Sequence, residues 1–417
     1  MNIITQYFNF ASGEMLPVNI ESDDHYIDAT VNIKDLMWRI NHSLTASLFR
    51  IFILYPDETI KEEIPRDKIK AGGTYNENYQ NGQRRSLSFT IYNQGGEYTP
   101  DINKLWAGTK LRFDVGIKIS EHTTYWFQKG IFVITNTTPV LSPNAREVQI
   151  TAKDKFGMFE DNTGKLESTY EIKYGNNIKQ ILNSILFKDL GNGFVFDPKP
   201  MLYQSTLEDN ITQVTISKNA GDTLGAILLE LATQLSAEIF YNGNGNLVVT
   251  PISDVTYDAD KPLLCNYNTL DGEINGLSFN LDYNTIINKI IVMGASNETG
   301  THIAEAVNDD SQSPLCYQRI GLRTGNIIND PNIYSTPLAQ ERADYELRQQ
   351  LILKSSVSAT VRLNPFLEVN NLISITDTFF ELSRERFLLQ SISFSLDNSN
   401  QMNITFSNLK NLPFIVS

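Results

Sequence analysis

The sequence has few of the residues that build metal sites and disulfide frameworks, with 2 cysteines and 4 histidines in 417 residues. Cys265 and Cys316 form no CxxC pair, so we expect two buried, reduced thiols. The histidines are scattered, and none belongs to an HExxH helix pair; they are His25, His42, His122 and His302. These residues therefore predict no metal site and no cofactor.

Long apolar runs and basic clusters are also missing. The most apolar stretch, residues 224–235, falls short of the roughly 20 residues that span a bilayer, so no direct membrane span is predicted. Residues 1–20 do not have the pattern of a signal peptide, which favours synthesis in a cytoplasm. The net charge is −14 and the longest basic cluster is Arg84-Arg85, so no specific nucleic-acid binding is expected.

Catalytic motifs are absent as well, since neither a GxSxG elbow nor a GxxxxGK phosphate loop occurs. The adjacent pair Asp309-Asp310 is the most conspicuous candidate for carboxylate catalysis, but a solvated loop explains it better. Asp254, Asp258 and Asp260 have a spacing that suits calcium ligands, yet the EF-hand glycine and glutamate are missing. We therefore predict no enzymatic activity, with no catalytic, cofactor-binding or metal residues.

Aromatic and glycine-rich segments leave two further interpretations open. Exposed aromatic rings stack on sugars, although packing in the core is the more common role; the candidates are Tyr98, Trp106, Tyr125, Trp126 and Phe127. Three glycine-rich segments are able to cradle an anion but more often form turns; they are Gly72-Gly73, Gly95-Gly96 and residues 242–246.

The chain nevertheless contains ample apolar surface, with 41% hydrophobic residues, and its length suggests about three folding units. Residues 1–160 are predicted to be all β, because alternating β-branched runs recur at regular spacing; these runs are residues 27–31, 48–55, 85–92, 110–117, 126–134 and 146–152. Such spacing favours a barrel or a sandwich.

Residues 161–277 are predicted to form a small α+β unit. Ile178, Leu182 and Ile185 share one helical face behind an Asn cap, and Asp222 or Thr223 caps a second helix over residues 224–235. The turn at residues 242–246 then joins two strands.

Residues 278–417 return to β structure. A strand is predicted at residues 288–294, followed by a polar, exposed loop at residues 297–313. One helix begins at Thr336-Pro337, where Ala339, Ala343, Leu347 and Leu351 repeat every four residues. Further strands are predicted at residues 356–363, 372–376, 387–394 and 402–406.

The order of several segments resembles that of phage tail and baseplate hub proteins. Residues 87–100 (LSFTIYNQGGEYTP) and 105–108 (LWAG) are similar to the strand and turn of that family, and the later matches follow in the same order; these are residues 127–134, 151–154, 221–249, 288–294, 313–314, 339–351 and 364–371. The resemblance thus covers nearly the whole chain, except residues 1–20.

This resemblance implies a mainly β chain in which two tube-like β-barrel domains, residues 1–160 and 278–417, bracket a small α+β domain, residues 161–277. It also implies a homotrimer whose six barrels form a pseudo-sixfold ring at the tail tip. That ring would connect the tail tube or a distal tail protein to a central spike, a tail fibre or a tape-measure protein, and would let DNA pass. The expected location is the tail of the virion.

Two alternatives belong to other functional classes. A carbohydrate- or receptor-binding tail protein would expose the aromatic cluster around Trp106 and Trp126. A tail-associated cell-wall hydrolase would use carboxylates, with Asp309 and Asp310 as the candidates.

Overall fold

The computed structural model describes residues 2–9, 14–22, 36, 38–40, 46–101, 104–143, 145–191, 194–212, 215–252, 263–281, 283–297, 300–330, 333, 335–351 and 355–407. The strand predicted at residues 27–31 lies outside these ranges. None of the helices in the described ranges is long and apolar enough to cross a membrane.

The described part of the chain is mainly β, as predicted. Its strands, in chain order from β1 to β23, are Asn2–Asn9, Glu14–Ser22, Ala46–Leu54, Ile60–Ile64, Ile69–Asn78, Arg85–Tyr92, Lys110–Lys118, Thr123–Ser142, Ala145–Asp154, Tyr170–Ile172, Leu202–Tyr203, Ile216–Lys218, Ala237–Tyr241, Leu247–Pro251, Cys265–Asn268, Ile274–Leu281, Lys289–Asn297, Gly300–Val307, Ile328–Asn329, Ser355–Arg362, Leu372–Asp377, Leu382–Leu396 and Gln401–Ser407. Its helices, from α1 to α5, are Gly157–Glu160, Ile178–Leu186, Leu224–Gln234, Tyr317–Ile320 and Thr336–Leu351.

Contacts divide the chain into two compact units, Met1–Leu277 with Ala359–Thr405, and Ser278–Ser358 with Phe406–Ser417. These units differ from the three predicted segments, because β22 pairs with β5 in antiparallel register and so joins residues 359–405 to the first unit. The three-domain division stays a prediction about how the chain is organised.

The first unit contains most of one large sheet, in which its strands follow the order β22-β5-β6-β9-β8-β7-β3-β4. Alternation places one row of each strand in the core, and in β6 every second residue from Arg85 to Ile91 is buried. Aromatic rings fill the space between strands that are far apart in sequence. Phe394 of β22 stacks on Tyr75 of β5 with 4.8 Å between ring centroids, and Phe49 of β3 stacks on Phe113 of β7 at 6.1 Å.

The two helices and the hairpin predicted within residues 161–277 are present, in the first unit. Asn177 caps α2 by accepting a hydrogen bond from the backbone N–H of Gln180, and Thr223 caps α3 in the same way through Ala226. The apolar faces of both helices pack against β13 and β14; their buried residues include Leu182, Ile185, Ile227, Leu231, Ile239 and Val249.

The turn between β13 and β14 packs against β8. A Cβ atom at Gly243 would lie 2.7 Å from the carbonyl oxygen of Gln128, and one at Gly245 would lie 2.6 Å from a methyl carbon of Ile131. Gly245 also has a φ of 77°, which side chains disfavour. Glycine is therefore required here for close approach as well as for the turn.

The second unit has a small sheet, in which β17 lies between β18 and β19, and helix α5 covers one face of it. Ala339, Ala343 and Leu347 are the buried residues of α5, which confirms the predicted apolar face. The polar loop predicted at residues 297–313 is wrong in part, because residues 300–307 form β18 and Ala304 and Ala306 are buried against the helix. Alanine carries too little apolar surface to reveal a strand by its pattern.

Candidate functional site

The most concentrated group of charges in the first unit is a buried junction around Arg85. Its guanidinium Nη2 lies 2.7 Å from Glu77 Oε1 and 3.3 Å from Glu368 Oε2, and Arg85 is 1% exposed. Lys129 reaches the same place, donating hydrogen bonds to the carbonyl oxygens of Pro365 and Leu367 at 3.1 Å each. The junction thus links β5, β6 and β8 to the residues that precede β21.

Arg84 extends this junction to the α+β segment. Its Nη2 lies 3.0 Å from Glu238 of β13, and its guanidinium stacks over the ring of Phe240 at 3.7 Å. The backbone N–H groups of Arg84 and Arg85 both donate to Asp154 at the end of β9, at 2.8 Å each. Three parts of the sequence therefore meet at one set of buried charges.

The electrostatics of the junction follow from its composition, since three cations face four carboxylates; the cations are Arg84, Arg85 and Lys129, and the carboxylates are Glu77, Asp154, Glu238 and Glu368. Burial alone would raise the pKa of Glu77, but Arg85 and Lys129 outweigh it and hold that pKa below its usual range. Burial raises the pKa of Asp154 to about 6 despite its N–H donors. Asp154 therefore takes up a proton at a higher pH than Glu77 does.

A second buried cluster surrounds Glu58 in the turn between β3 and β4. Lys155 and Lys110 approach its Oε1 at 2.7 and 2.8 Å, and Lys199 approaches its Oε2 at 3.3 Å. Lys155 also pairs with Asp197 at 2.7 Å. Burial would raise the pKa of Glu58, but Lys155 and Lys110 overcome it and lower the pKa. The cluster joins the β3–β4 turn to the α+β segment.

Both clusters have the properties of structural joints. Their central side chains, Arg85, Glu77, Lys155 and Asp197, are at most 1% exposed and each pairs with an opposite charge. A substrate needs access to reacting groups, and buried paired charges offer none. This arrangement was not predictable from the sequence, because Arg84-Arg85 resembles a surface cluster and its partners are up to 283 residues away in the chain.

The aromatic residues considered as a sugar platform do not form one face. Trp126 and Phe127 are 1% exposed and Tyr98 is 6% exposed, whereas Trp106 is 49% exposed. The indole of Trp126 is covered by guanidinium groups, with Arg50 at 4.1 Å and Arg66 at 4.6 Å from its ring, and its N–H donates to Glu21 at 2.8 Å. Trp126 therefore packs inside the protein and is not able to stack on a sugar.

The remaining polar candidates are dispersed. Asp309 and Asp310 are exposed, and Asp310 accepts a hydrogen bond from the N–H of Gln312 at 2.9 Å. His122 lies in an exposed turn, and His302 contacts Thr336 at 3.2 Å. The other candidates lie outside the described residues; they are His25, His42, Asp254, Asp258 and Asp260. In the ranges that the structure describes, no group of three or more His, Cys, Asp or Glu residues is arranged to hold a metal ion.

The thiols and the glycine pairs differ in part from expectation. Both cysteines are free, but Cys316 is buried whereas Cys265 is only half-buried. Burial raises the pKa of the Cys265 thiol to about 12. Gly95-Gly96 lies in a turn, as expected, whereas Gly72-Gly73 lies inside β5 at a shift of register opposite β6. A Cβ atom at Gly73 would lie 2.6 Å from the carbonyl oxygen of Ser88, so this glycine permits close strand approach.

In the part of the chain that the structure describes, the two most exposed large apolar side chains lie in two hairpins. Phe379 is 85% exposed between β21 and β22, and Leu141 is 79% exposed near the end of β8. Beside Leu141 is a shallow groove of about 360 Å³, between the turn that contains Gly95-Gly96 and the β8–β9 hairpin.

Solved structures with a similar fold include two tail proteins and a chain of a PdpA-VgrG complex. The 43 kDa tail protein of prophage MuSo2 from Shewanella oneidensis is 14% identical, with a TM-score of 0.58 over 87% of this chain and 100% of that chain. A tail protein from Neisseria meningitidis MC58 is 12% identical, with a TM-score of 0.58 over 86% of this chain and 96% of that chain. A chain of the lidded Francisella PdpA-VgrG complex is 9% identical, with a TM-score of 0.52 over 89% and 54% of the two chains.

No protein-family model matches the sequence, and no curated protein matches it. At identities of 9–14% the similarity is one of fold. The resemblance to phage tail proteins inferred from the sequence is therefore confirmed at the level of the fold, over most of the chain.

Proposed function

We propose that this chain is a non-enzymatic structural subunit of a phage-type tail, and that it acts as a hub at the tail tip or baseplate. The observation that carries the proposal is the match in fold to the whole length of a prophage tail protein, which covers 87% of this chain. The burial and pairing of the charges around Arg85 and Glu58 support it, because rigid joints suit a scaffold. The protein would be made in a host cytoplasm and reside in the virion tail.

In this proposal three copies form a ring, and each contributes two tube-like barrels, so that six barrels meet a sixfold tail tube. Head-to-tail contacts between identical copies close such a ring. They would also cover sheet edges such as β4, the last strand of the large sheet, beside which Tyr55 and Ile60 are 48% and 50% exposed. The tail tube or a distal tail protein would bind one side, and a spike, fibre or tape-measure protein the other.

The ring would leave a channel through which DNA passes. The net charge of −14 supports this role, because an acidic wall repels phosphates and does not retain them. No specific nucleic-acid binding is part of the proposal.

Negative-stain electron microscopy combined with light scattering tests the proposal. We expect rings with a central opening and three times the mass of the chain. Globular monomers at every concentration, both alone and with the tail tube protein, would contradict it. Quenching of tryptophan fluorescence by oligosaccharides, or clearing of cell-wall suspensions, would favour the sugar-binding and hydrolase alternatives.

A further inference from the structure

The hairpin between β21 and β22 ends in a tip, residues 377–382, that presents an aromatic pair to solvent. Phe379 is 85% exposed and packs edge-on against Phe380, with 4.9 Å between the ring centroids. It is the most exposed of the large hydrophobic side chains in the described part of the chain. Exposing such a ring is unfavourable in water, so a partner that covers it would gain binding energy.

The tip is held in one conformation. Asp377 Oδ1 accepts a hydrogen bond from the N–H of Phe380 at 2.7 Å, and Asp377 Oδ2 accepts one from the hydroxyl of Thr269 at 2.6 Å. Glu381 of the tip has a φ angle of 55°, which non-glycine residues rarely adopt. Strained conformations of this kind are concentrated at functional sites. A preorganised tip also loses little conformational entropy on binding.

The groove beside Leu141 has complementary properties. Its volume is about 360 Å³, and Pro139 and Leu141 give it an apolar side. Asn93, Gly96 and Thr99 line the facing turn. Arg146 is an exposed cation of the groove for which the described residues provide no ion pair, whereas the neighbouring Glu147 is neutralised by Lys70 at 2.9 Å. The groove therefore offers an apolar surface next to a free positive charge.

We propose that the tip of one copy of this chain seats Phe379 in the groove of a second copy, with Glu381 of the tip facing Arg146 of the groove. Charge complementarity supports a second copy as the partner, because Glu381 is exposed on the tip and is opposite in sign to the exposed Arg146 of the groove. The two surfaces differ from each other, so the contact is head-to-tail and propagates around a ring. This inference rests on the proposed function and names the contact through which copies would meet.

Cysteine cross-linking tests the contact directly. Phe379→Cys and Thr99→Cys proteins, prepared separately and then mixed under mild oxidation, are expected to give a disulfide-linked dimer that neither gives alone. The native thiols compete little, because Cys316 is buried and burial raises the pKa of Cys265 to about 12. Phe187→Cys is the matched control, since Phe187 is also an exposed phenylalanine, at 48%. Equal cross-linking of the control, or a preference for Phe379→Cys to pair with itself, overturns the proposal.

Substitutions test how much the contact contributes to the association between copies. Phe379→Ser is expected to weaken association between copies about 30-fold, as for a binding hot spot, whereas Phe187→Ser leaves association unchanged. Glu381→Arg and Arg146→Glu should each weaken association, and the double variant should restore it. An unaltered association constant in Phe379→Ser, or a double variant no better than the single ones, contradicts the contact.

The lipid alternative is tested with vesicles of phosphatidylcholine and phosphatidylglycerol. Binding of the wild type that is lost in Phe379→Ser, while association between copies persists, would assign the tip to a membrane and overturn the proposal. The outcome also separates this contact from the hub proposal. Rings that form without the Phe379–Thr99 cross-link would support the hub proposal and reject this contact. The cross-link in open chains of copies would support the contact and reject the closed ring.

Discussion

Replacing Arg85 by methionine is the most informative test of the buried junction. The substitution keeps a long side chain but removes the charge that lies 2.7 Å from Glu77 and 3.3 Å from Glu368. Two carboxylates that are 0% and 1% exposed would then be opposed mainly by Lys129. Breaking a buried ion pair from one side costs about 3–5 kcal/mol, and we expect the free energy of unfolding to fall by that amount.

Urea denaturation followed by tryptophan fluorescence measures this loss, and urea is preferable to guanidinium because it leaves ion pairs unscreened. Trp126 reports on the first unit, since it is 1% exposed whereas Trp38 and Trp106 are already 58% and 49% exposed. The exposed Lys188→Met is the control, with an expected change within about 0.5 kcal/mol.

Two further variants distinguish the contribution of the Arg85 charge to stability from that of its side-chain geometry. Arg85→Lys keeps the charge but loses the planar fork that reaches both carboxylates, so a smaller loss is expected. Arg85→Met combined with Glu77→Gln should recover part of the stability, because one unpaired carboxylate is removed. A midpoint for Arg85→Met equal to that of Lys188→Met would refute the reasoning.

Three other predictions concern single groups. Asp154 has a pKa of about 6 in the folded chain against an ordinary 3.8, so its contribution to stability decreases as pH rises from about 4 to 6. The unfolding free energy of the wild type relative to Asp154→Asn should fall by about 2 kcal/mol between pH 4 and 7, and a constant difference would exclude the assignment. In Gly116→Ala a Cβ atom would lie 2.6 Å from the Trp126 ring. We therefore expect a red-shifted tryptophan emission and a decrease of about 1–3 kcal/mol in the free energy of unfolding. Gly276→Ala is the control that should be unaffected, because no atom lies within 4 Å of its Cβ position. Both thiols should react with Ellman's reagent at pH 8 only after unfolding, because Cys316 is buried and the pKa of Cys265 is raised to about 12; rapid labelling of the native protein would contradict this.

Local patterns in the sequence predict local structure well. The alternation in residues 85–92 corresponds to β6, the four-residue repeat of Ala339, Ala343 and Leu347 to the buried face of α5, and the Asn- and Gly-rich residues 242–246 to the β13–β14 turn. Each of these signals lies within one element, where spacing alone decides which side chains share a face. Strand β18 was not predicted from the sequence, because its buried positions are alanines beside polar neighbours.

Ion pairs between distant parts of the chain cannot be predicted from such local patterns. Arg84 and Arg85 are adjacent in sequence, yet both are at most 2% exposed and reach Glu238 and Glu368, which are 154 and 283 residues away. A charged residue is usually exposed, and only the fold shows that these residues are paired and buried. The burial of Trp126 was likewise not predictable from the sequence, because it depends on which face of the sheet becomes covered.

The position of the junction connects its stability to the surface proposed for assembly. Glu368 lies just before β21, and its backbone N–H donates to Asn371 at 2.8 Å, so the turn that leads into the hairpin is fixed where it meets Arg85. Apolar contacts tolerate small sliding, whereas a guanidinium shared by two carboxylates has one satisfactory geometry. The buried charges therefore fix the position of residues 77–85 relative to β21, the strand that leads into the tip with Phe379. A ring built from identical copies requires that the tip and the groove keep a constant relation in each copy.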